Sequence, residues 1–189
     1  VSFKNPVYRL YFIGFLANML AQNMQMLVRS LLVYRITGSA SKLGIMALAT
    51  TLPMLLLSLF GGVLADRVQK KFVILAAQVS SAIISLVVAL SWTFGYLAID
   101  RENSWWILVV ASALQGISWG FMGPSRQAIV REIVSEEELM NAVSLSTTGM
   151  NILRIFAPAI AGFLIDAFDF GAVYYVMTAM FLLALFFTA

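Results

Sequence analysis

Six apolar runs dominate the sequence, at residues 10–33, 42–65, 72–94, 104–122, 139–165 and 171–189. Each is long enough to cross a bilayer, for which about 20 helical residues suffice. Apolar residues surround each run on nearly all faces, so none reads as an amphipathic surface helix. Short polar connectors separate them: YRITGSAS, DRVQKK, GYLAIDREN, a longer PSRQAIVREIVSEEE, and DAFDFG. Backbone groups in lipid need internal partners, which for spans of this length means helix. The expectation is an all-α membrane protein with one six-helix transmembrane domain over residues 1–189.

Composition narrows the function classes. With 61% hydrophobic and 11% charged residues, a soluble domain of this size could not cover its surface. Cysteine and histidine are both absent, which excludes disulfides, thiolate metal sites and histidine acid–base chemistry. No phosphate-binding GxxxxGK[ST] loop or nucleophile–base pair is visible, so an enzyme is not expected. The first run carries amides and an arginine and has no small-residue cleavage site, unlike a signal peptide. The sequence also stops within an apolar run, as expected of a piece cut from a longer protein.

The cations set an orientation. With the N-terminus in the cytoplasm, Lys4, Arg9, Arg67, Lys70, Lys71, Arg126 and Arg131 fall inside, against Arg35, Lys42 and Arg101 outside. The positive-inside rule favours that arrangement. Net charge +3 therefore reflects membrane orientation, and no basic stripe points to a nucleic-acid partner. The second run ends GVLAD (62–66) and the fifth GFLID (162–166), in opposite membrane directions. Related triplets of opposite orientation are the mark of 3+3 inverted repeats in secondary transporters.

Two stretches place polar residues inside apolar runs. Asn18, Gln22, Gln25 and Arg29 recur at spacings of four, three and four in the first. They read either as a cavity-facing stripe or as amides that bind neighbouring helices together. Arg29, near the outer end, is expected to snorkel to the headgroups. In the fifth run Ser144, Thr147, Thr148, Asn151 and Arg154 share one helical face. Ser135 followed by Glu136–Glu138 has the form of a capping box, which starts that helix near residue 136. Arg154 then lies about 22 Å beyond Leu139, near or somewhat past the bilayer middle. An arginine there costs about 2.5–3.5 kcal/mol on insertion scales, so it is expected to face protein or water. Every acidic residue lies in a loop or at a helix end, so its counter-charge is not on this chain's spans. A structural ion pair is the alternative to a substrate role. Trp105 and Trp106 read as an interfacial belt. The ten methionines suit either gap filling or an adaptable binding wall.

The stretch GGVLADRVQKK (61–71) carries a family resemblance. It is similar to the loop between helices 2 and 3 of the major facilitator superfamily, G-x-L-A-D-R-x-G-R-R. Gly62, Leu64, Asp66, Arg67, Lys70 and Lys71 match or are conservative, and Gln69 replaces a glycine. VYRITGSASKLG (33–44) and PSRQAIVREIVSEEELMNAVSL (124–145) resemble the drug and siderophore exporter branch. The resemblance implies the N-terminal six-helix half of a twelve-helix secondary transporter in a bacterial-type cytoplasmic membrane. It would export small amphipathic molecules by alternating access, with the C-terminal half as partner. Asn18, Gln22, Gln25, Asn151 and Arg154 are the candidate cavity residues. Gly62, Asp66, Arg67, Lys70, Lys71, Pro158 and Gly162 are the candidate gating residues. No resident cofactor is expected; a proton gradient is the energy source that the branch implies. Two positions depart from the antiporter pattern: Ser112 stands where helix 4 often has arginine, and residues 157–162 read APAIAG rather than GPxxGG. A non-transporting scaffold, or a half-transporter that dimerises, is the competing expectation.

Overall fold

The apolar runs fold as helices that extend past the runs themselves. The computed structural model describes residues 6–67 and 69–189, with side chains at 59–67, 124, 127, 131 and 132 left out. The helices are α1 (Pro6–Thr37), α2 (Ala40–Arg67), α3 (Lys70–Thr93), α4 (Trp105–Ile133), α5 (Glu136–Ala167) and α6 (Phe170–Thr188). A 3-10 turn, Glu102–Ser104, precedes α4. No strand occurs among the described residues. At 32 residues each, α1 and α5 are about 48 Å long and overshoot a 30 Å hydrocarbon core.

Local chemistry explains the turns. Gly38 has φ +60° and ends α1, its N–H bonding to Tyr34 O at 2.8 Å. That left-handed conformation is open to glycine without a Cβ penalty. Asp169 caps α6, its carboxylate accepting from the Ala172 N–H at 2.7 Å. Helix α5 starts at Glu136 as the acidic first turn suggests. Ser135 makes no side-chain cap bond, however; its carbonyl accepts the Glu138 N–H at 3.0 Å.

The longer connector is a correction to the sequence reading. It was expected to separate two spans as a polar loop, yet α4 runs through Ile133 and only two residues intervene before α5. The reason is an apolar stripe within it: Ile129 and Val134 bury against a core with Tyr8, Ile74 and Ala142.

Five helices contain stretches long and apolar enough to cross a membrane: Ala40–Ser58, Lys70–Thr93, Glu102–Val130, Glu136–Ala167 and Phe170–Thr188. This is a multi-pass membrane protein. Helix α1 is long enough but is diluted by Asn18, Gln22, Asn23, Gln25 and Arg29. Most of that polarity is turned away from the exterior, since Asn18, Gln25 and Arg29 are all buried.

Helix α1 packs on α5 and α6, α4 packs on α2 and α3, and α3 meets α6. Helices α2 and α5 are the least buried. The α2–α4 contact depends on small residues one turn apart. A Cβ at Gly116 would lie 2.2 Å from Thr50 O, and one at Gly120 2.9 Å from Met54 O. Such close backbone approach is the usual role of small residues between membrane helices. Side-chain bonds tie the other pairs: Gln115 Nε2 donates to Ser81 Oγ at 2.7 Å, and Gln78 Nε2 to Thr188 Oγ1 at 3.2 Å. Tyr8 donates to Ala142 O at 3.0 Å, joining α1 to the start of α5. Interhelical bonds of this kind average about 0.6 kcal/mol.

Candidate functional site

A cavity of about 600 Å³ opens between α1, α2, α4 and α5. Its apolar wall comes from Tyr11, Phe15 and Met19 of α1, Met54 of α2, and Trp119 and Met122 of α4. Helix α5 supplies Ser146, Thr147 and Met150, while Arg126 of α4 supplies a cation. A smaller cavity of about 260 Å³ shares Met19, Gln22, Trp119 and Met150 with the first and adds Asn151 and Arg154. Five of the ten methionines (Met19, Met26, Met54, Met122 and Met150) line one or both spaces. Three others, Met24, Met46 and Met177, are buried in the core, so methionine serves both purposes that its chemistry allows.

The candidate cavity residues divide. Gln22 lines both cavities and donates from Nε2 to Asn18 Oδ1 at 2.6 Å. Asn18 and Gln25 lie inside the bundle, with Asn18 Nδ2 and both polar atoms of Gln25 making no hydrogen bond. Asn151 and Arg154 are exposed on α5 and reach the smaller cavity. Ser144, Thr147 and Thr148 are exposed with them. A polar face on the exterior of a membrane helix requires water or another protein surface beside it.

Two expectations about interfacial residues change. Arg29 does not reach for headgroups: it is 7% exposed and its guanidinium interacts with the phenol of Tyr174 on α6. Neither its Nε and Nη2 nor the Tyr174 hydroxyl completes a hydrogen bond. Helical register sets this outcome, because Arg29 shares the inward face of Gln25. Of the tryptophan pair only Trp106 is exposed. Trp105 is buried under Lys42, whose Nζ sits 5.3 Å from its ring centroid and pairs with Glu102 at 2.9 Å.

Among the gating candidates, the side chains of Asp66 and Arg67 and the surroundings of Gly62 lie outside the described residues. Lys70 is half-buried at the start of α3, and Lys71 donates to the Ala189 carbonyl. Pro158 is half-buried within α5, and Gly162 has open space where a side chain would project.

The structure also brings forward residues that hydropathy reading passed over. Arg126 looked like one more cytoplasmic cation. It also lines the larger cavity, with its Cζ 5.3 Å from the Phe15 ring centroid. Arg126 Nη2 and Trp119 Nε1 are both buried without a hydrogen-bond partner. The available signal was their spacing of seven, two turns on one α4 face.

The family described as transmembrane secretion effector matches residues 1–188. An uncharacterized MFS-type transporter of Bacillus subtilis, YfiS, is 26% identical over 83% of this chain and 35% of its own length. The staphyloferrin A transporter of Staphylococcus aureus is 29% identical over 69% of the chain and 32% of its own length. Macrolide efflux protein A of Streptococcus pyogenes is 26% identical over 72% and 32%. The chain belongs to the transmembrane secretion effector family of major facilitator transporters. Its relatives are named as transporters, not enzymes, and the chain spans about a third of their length.

Proposed function

We propose that these residues form the N-terminal six-helix half of a secondary transporter that exports small amphipathic molecules by alternating access. The observation that carries this reading is the polar, exposed α5 face from Ser144 to Arg154, which adjoins the methionine- and aromatic-walled cavities. A lipid-facing helix would not hold that face outward, whereas a water-filled path between two halves would. The C-terminal half then faces α2 and α5, the least buried helices. Helix α1 is the sixth span, with its polar residues turned inward, and residues 1–189 are one domain. The N-terminus is cytoplasmic in a bacterial-type cytoplasmic membrane.

The packing supports a 3+3 inverted repeat. Exchanging α1 with α4, α2 with α5 and α3 with α6 turns the α1–α5 and α1–α6 contacts into α4–α2 and α4–α3. Both members of each exchanged pair are present, and the exchange maps the α3–α6 contact onto itself. Export is in keeping with the names of relatives that handle a siderophore or macrolides. A proton gradient is the proposed energy source, with no resident cofactor. Ser112 cannot carry the charge that helix 4 supplies in many antiporters; here its Oγ bonds Leu108 O at 2.6 Å. Inside-out vesicles holding the full-length protein test the reading. Energised vesicles should concentrate amphipathic solutes above empty-vector vesicles, and uncoupler should abolish the difference. Equal accumulation across a broad panel contradicts it.

A further inference from the structure

Arg126 and Trp119 present nitrogen–hydrogen donors two turns apart on the α4 wall of the larger cavity. Arg126 Nη2 and Trp119 Nε1 are buried and make no hydrogen bond. Neither side chain has an acceptor to offer in return. No acidic residue lines the cavity among the described residues. Leaving such donors unmatched in a low-dielectric space costs about 1–3 kcal/mol apiece, more for a charged group. Gln22, Ser146 and Thr147 offer neutral acceptors elsewhere on the wall, but among the described residues nothing offers Arg126 a negative charge.

The remaining wall says what else the occupant must be. Tyr11 and Phe15 stack one turn apart on α1, with ring centroids 6.4 Å apart and planes inclined by 20°. The Arg126 guanidinium sits over Phe15, and Met122 completes an apolar side. Aromatic faces and thioethers receive a flat apolar body, and a guanidinium fork receives a carboxylate in two parallel bonds. About 600 Å³ is within the range of small-molecule sites.

We infer that the juxtaposition of Arg126, Trp119 and the Tyr11–Phe15 pair is a subsite for the carboxylate of an aromatic or flat apolar anion. The inference rests on the transporter reading and names the substrate class of that cavity. The carboxylate takes the Arg126 fork, the Trp119 indole N–H donates to a further acceptor atom of the same molecule, and the ring lies against Phe15 and Tyr11. Arg154, in the adjoining smaller cavity, is a separate contact.

Binding of 1-naphthaleneacetate and of its uncharged amide to the full-length purified protein, followed by calorimetry, tests this. The parent protein should bind the carboxylate at least tenfold more tightly than the amide. Arg126→Gln should bring the two within about twofold, chiefly by weakening the carboxylate, and Arg126→Lys should keep part of the preference. Thermal unfolding of each variant reports whether it is folded, with the lysine variant serving if the glutamine one is not. Equal binding of both probes by the parent, no binding of either at millimolar concentration, or a preference untouched in Arg126→Gln overturns the assignment. Vesicles that transport nothing while the Arg126-dependent preference persists would instead defeat the transporter reading and leave the binding site standing.

Discussion

The guanidinium carbon of Arg126 lies 5.3 Å from the ring centroid of Phe15, which ties α4 to α1 at the cavity wall. A cation held over an aromatic face contributes about 0.5–2 kcal/mol, the larger values where water is excluded. The same contact holds the guanidinium on the cavity wall. Helix α4 thus makes close backbone contact with α2 on one side and carries the cavity donors on another.

That division gives a packing prediction. Gly116→Ala places a Cβ where the Thr50 carbonyl oxygen stands 2.2 Å away, and backbone cannot yield as a side-chain tip does. Overpacking of this kind costs about 1–3 kcal/mol. Thermal unfolding in detergent should show a clear loss, and Gly44→Ala, which meets nothing within 4 Å, should show none. Equal melting of the two variants would mean that α2 and α4 do not approach as described.

Asp66→Asn should impair transport by the full-length protein while leaving membrane insertion intact. The motive is GGVLADRVQKK, whose acid and cations are proposed to latch two halves at the cytoplasmic face. Efflux measured at matched expression decides the matter. Parental efflux by the variant would reduce the stretch to an orientation signal.

Arg154→Lys keeps the charge but loses the planar fork, and Arg154→Met keeps bulk alone. If Arg154 recognises polar or anionic cargo, the lysine variant should retain partial transport and the methionine variant should lose at least tenfold. Neutral cargo should be affected much less. Arg154 is exposed on α5, so little stability should be lost in either variant. Full transport of every solute by both variants would make Arg154 structural.

A cysteine at Gln69 tests the orientation. The chain has no native cysteine, and Gln69 is exposed between α2 and α3. An impermeant thiol reagent should label it in inside-out vesicles and not in intact cells. Labelling from outside intact cells would invert the topology.

The helices were legible because lipid imposes one rule, that backbone polar groups pair locally, and uninterrupted apolar length reports it. Helix α1 was the hard case. Its polar residues dilute the signal, and only packing shows that Asn18 and Gln25 turn into the bundle while Gln22 faces the cavity. Arg29 went astray for the same reason: depth along a helix follows from sequence, but the neighbour on each face does not. The residues Val134 and Ser135 show the converse, since an apolar stripe inside a charged connector was enough to carry α4 almost to α5. Arg126 was counted by charge, and its place on the cavity wall beside the Phe15 ring follows only from packing. Gly116 and Gly120 were visible as letters, but their purpose requires the Thr50 and Met54 carbonyls.

The most direct test of alternating access uses a cysteine at Asn151. This position lies about 18 Å beyond Leu139 along α5, which the length of the span puts near mid-bilayer, and it is exposed and at the edge of the smaller cavity. A charged thiol reagent reaches such a depth only through water. In the full-length protein cleared of other cysteines, the reagent should label Asn151→Cys from the cytoplasmic side in inside-out vesicles and from the outside in intact cells. Asp66→Asn should shift the ratio of the two rates. Labelling from neither side would place this face against lipid or sealed protein and contradict a transport path; labelling from one side only, whatever the state of the Asp66 latch, would contradict alternating access.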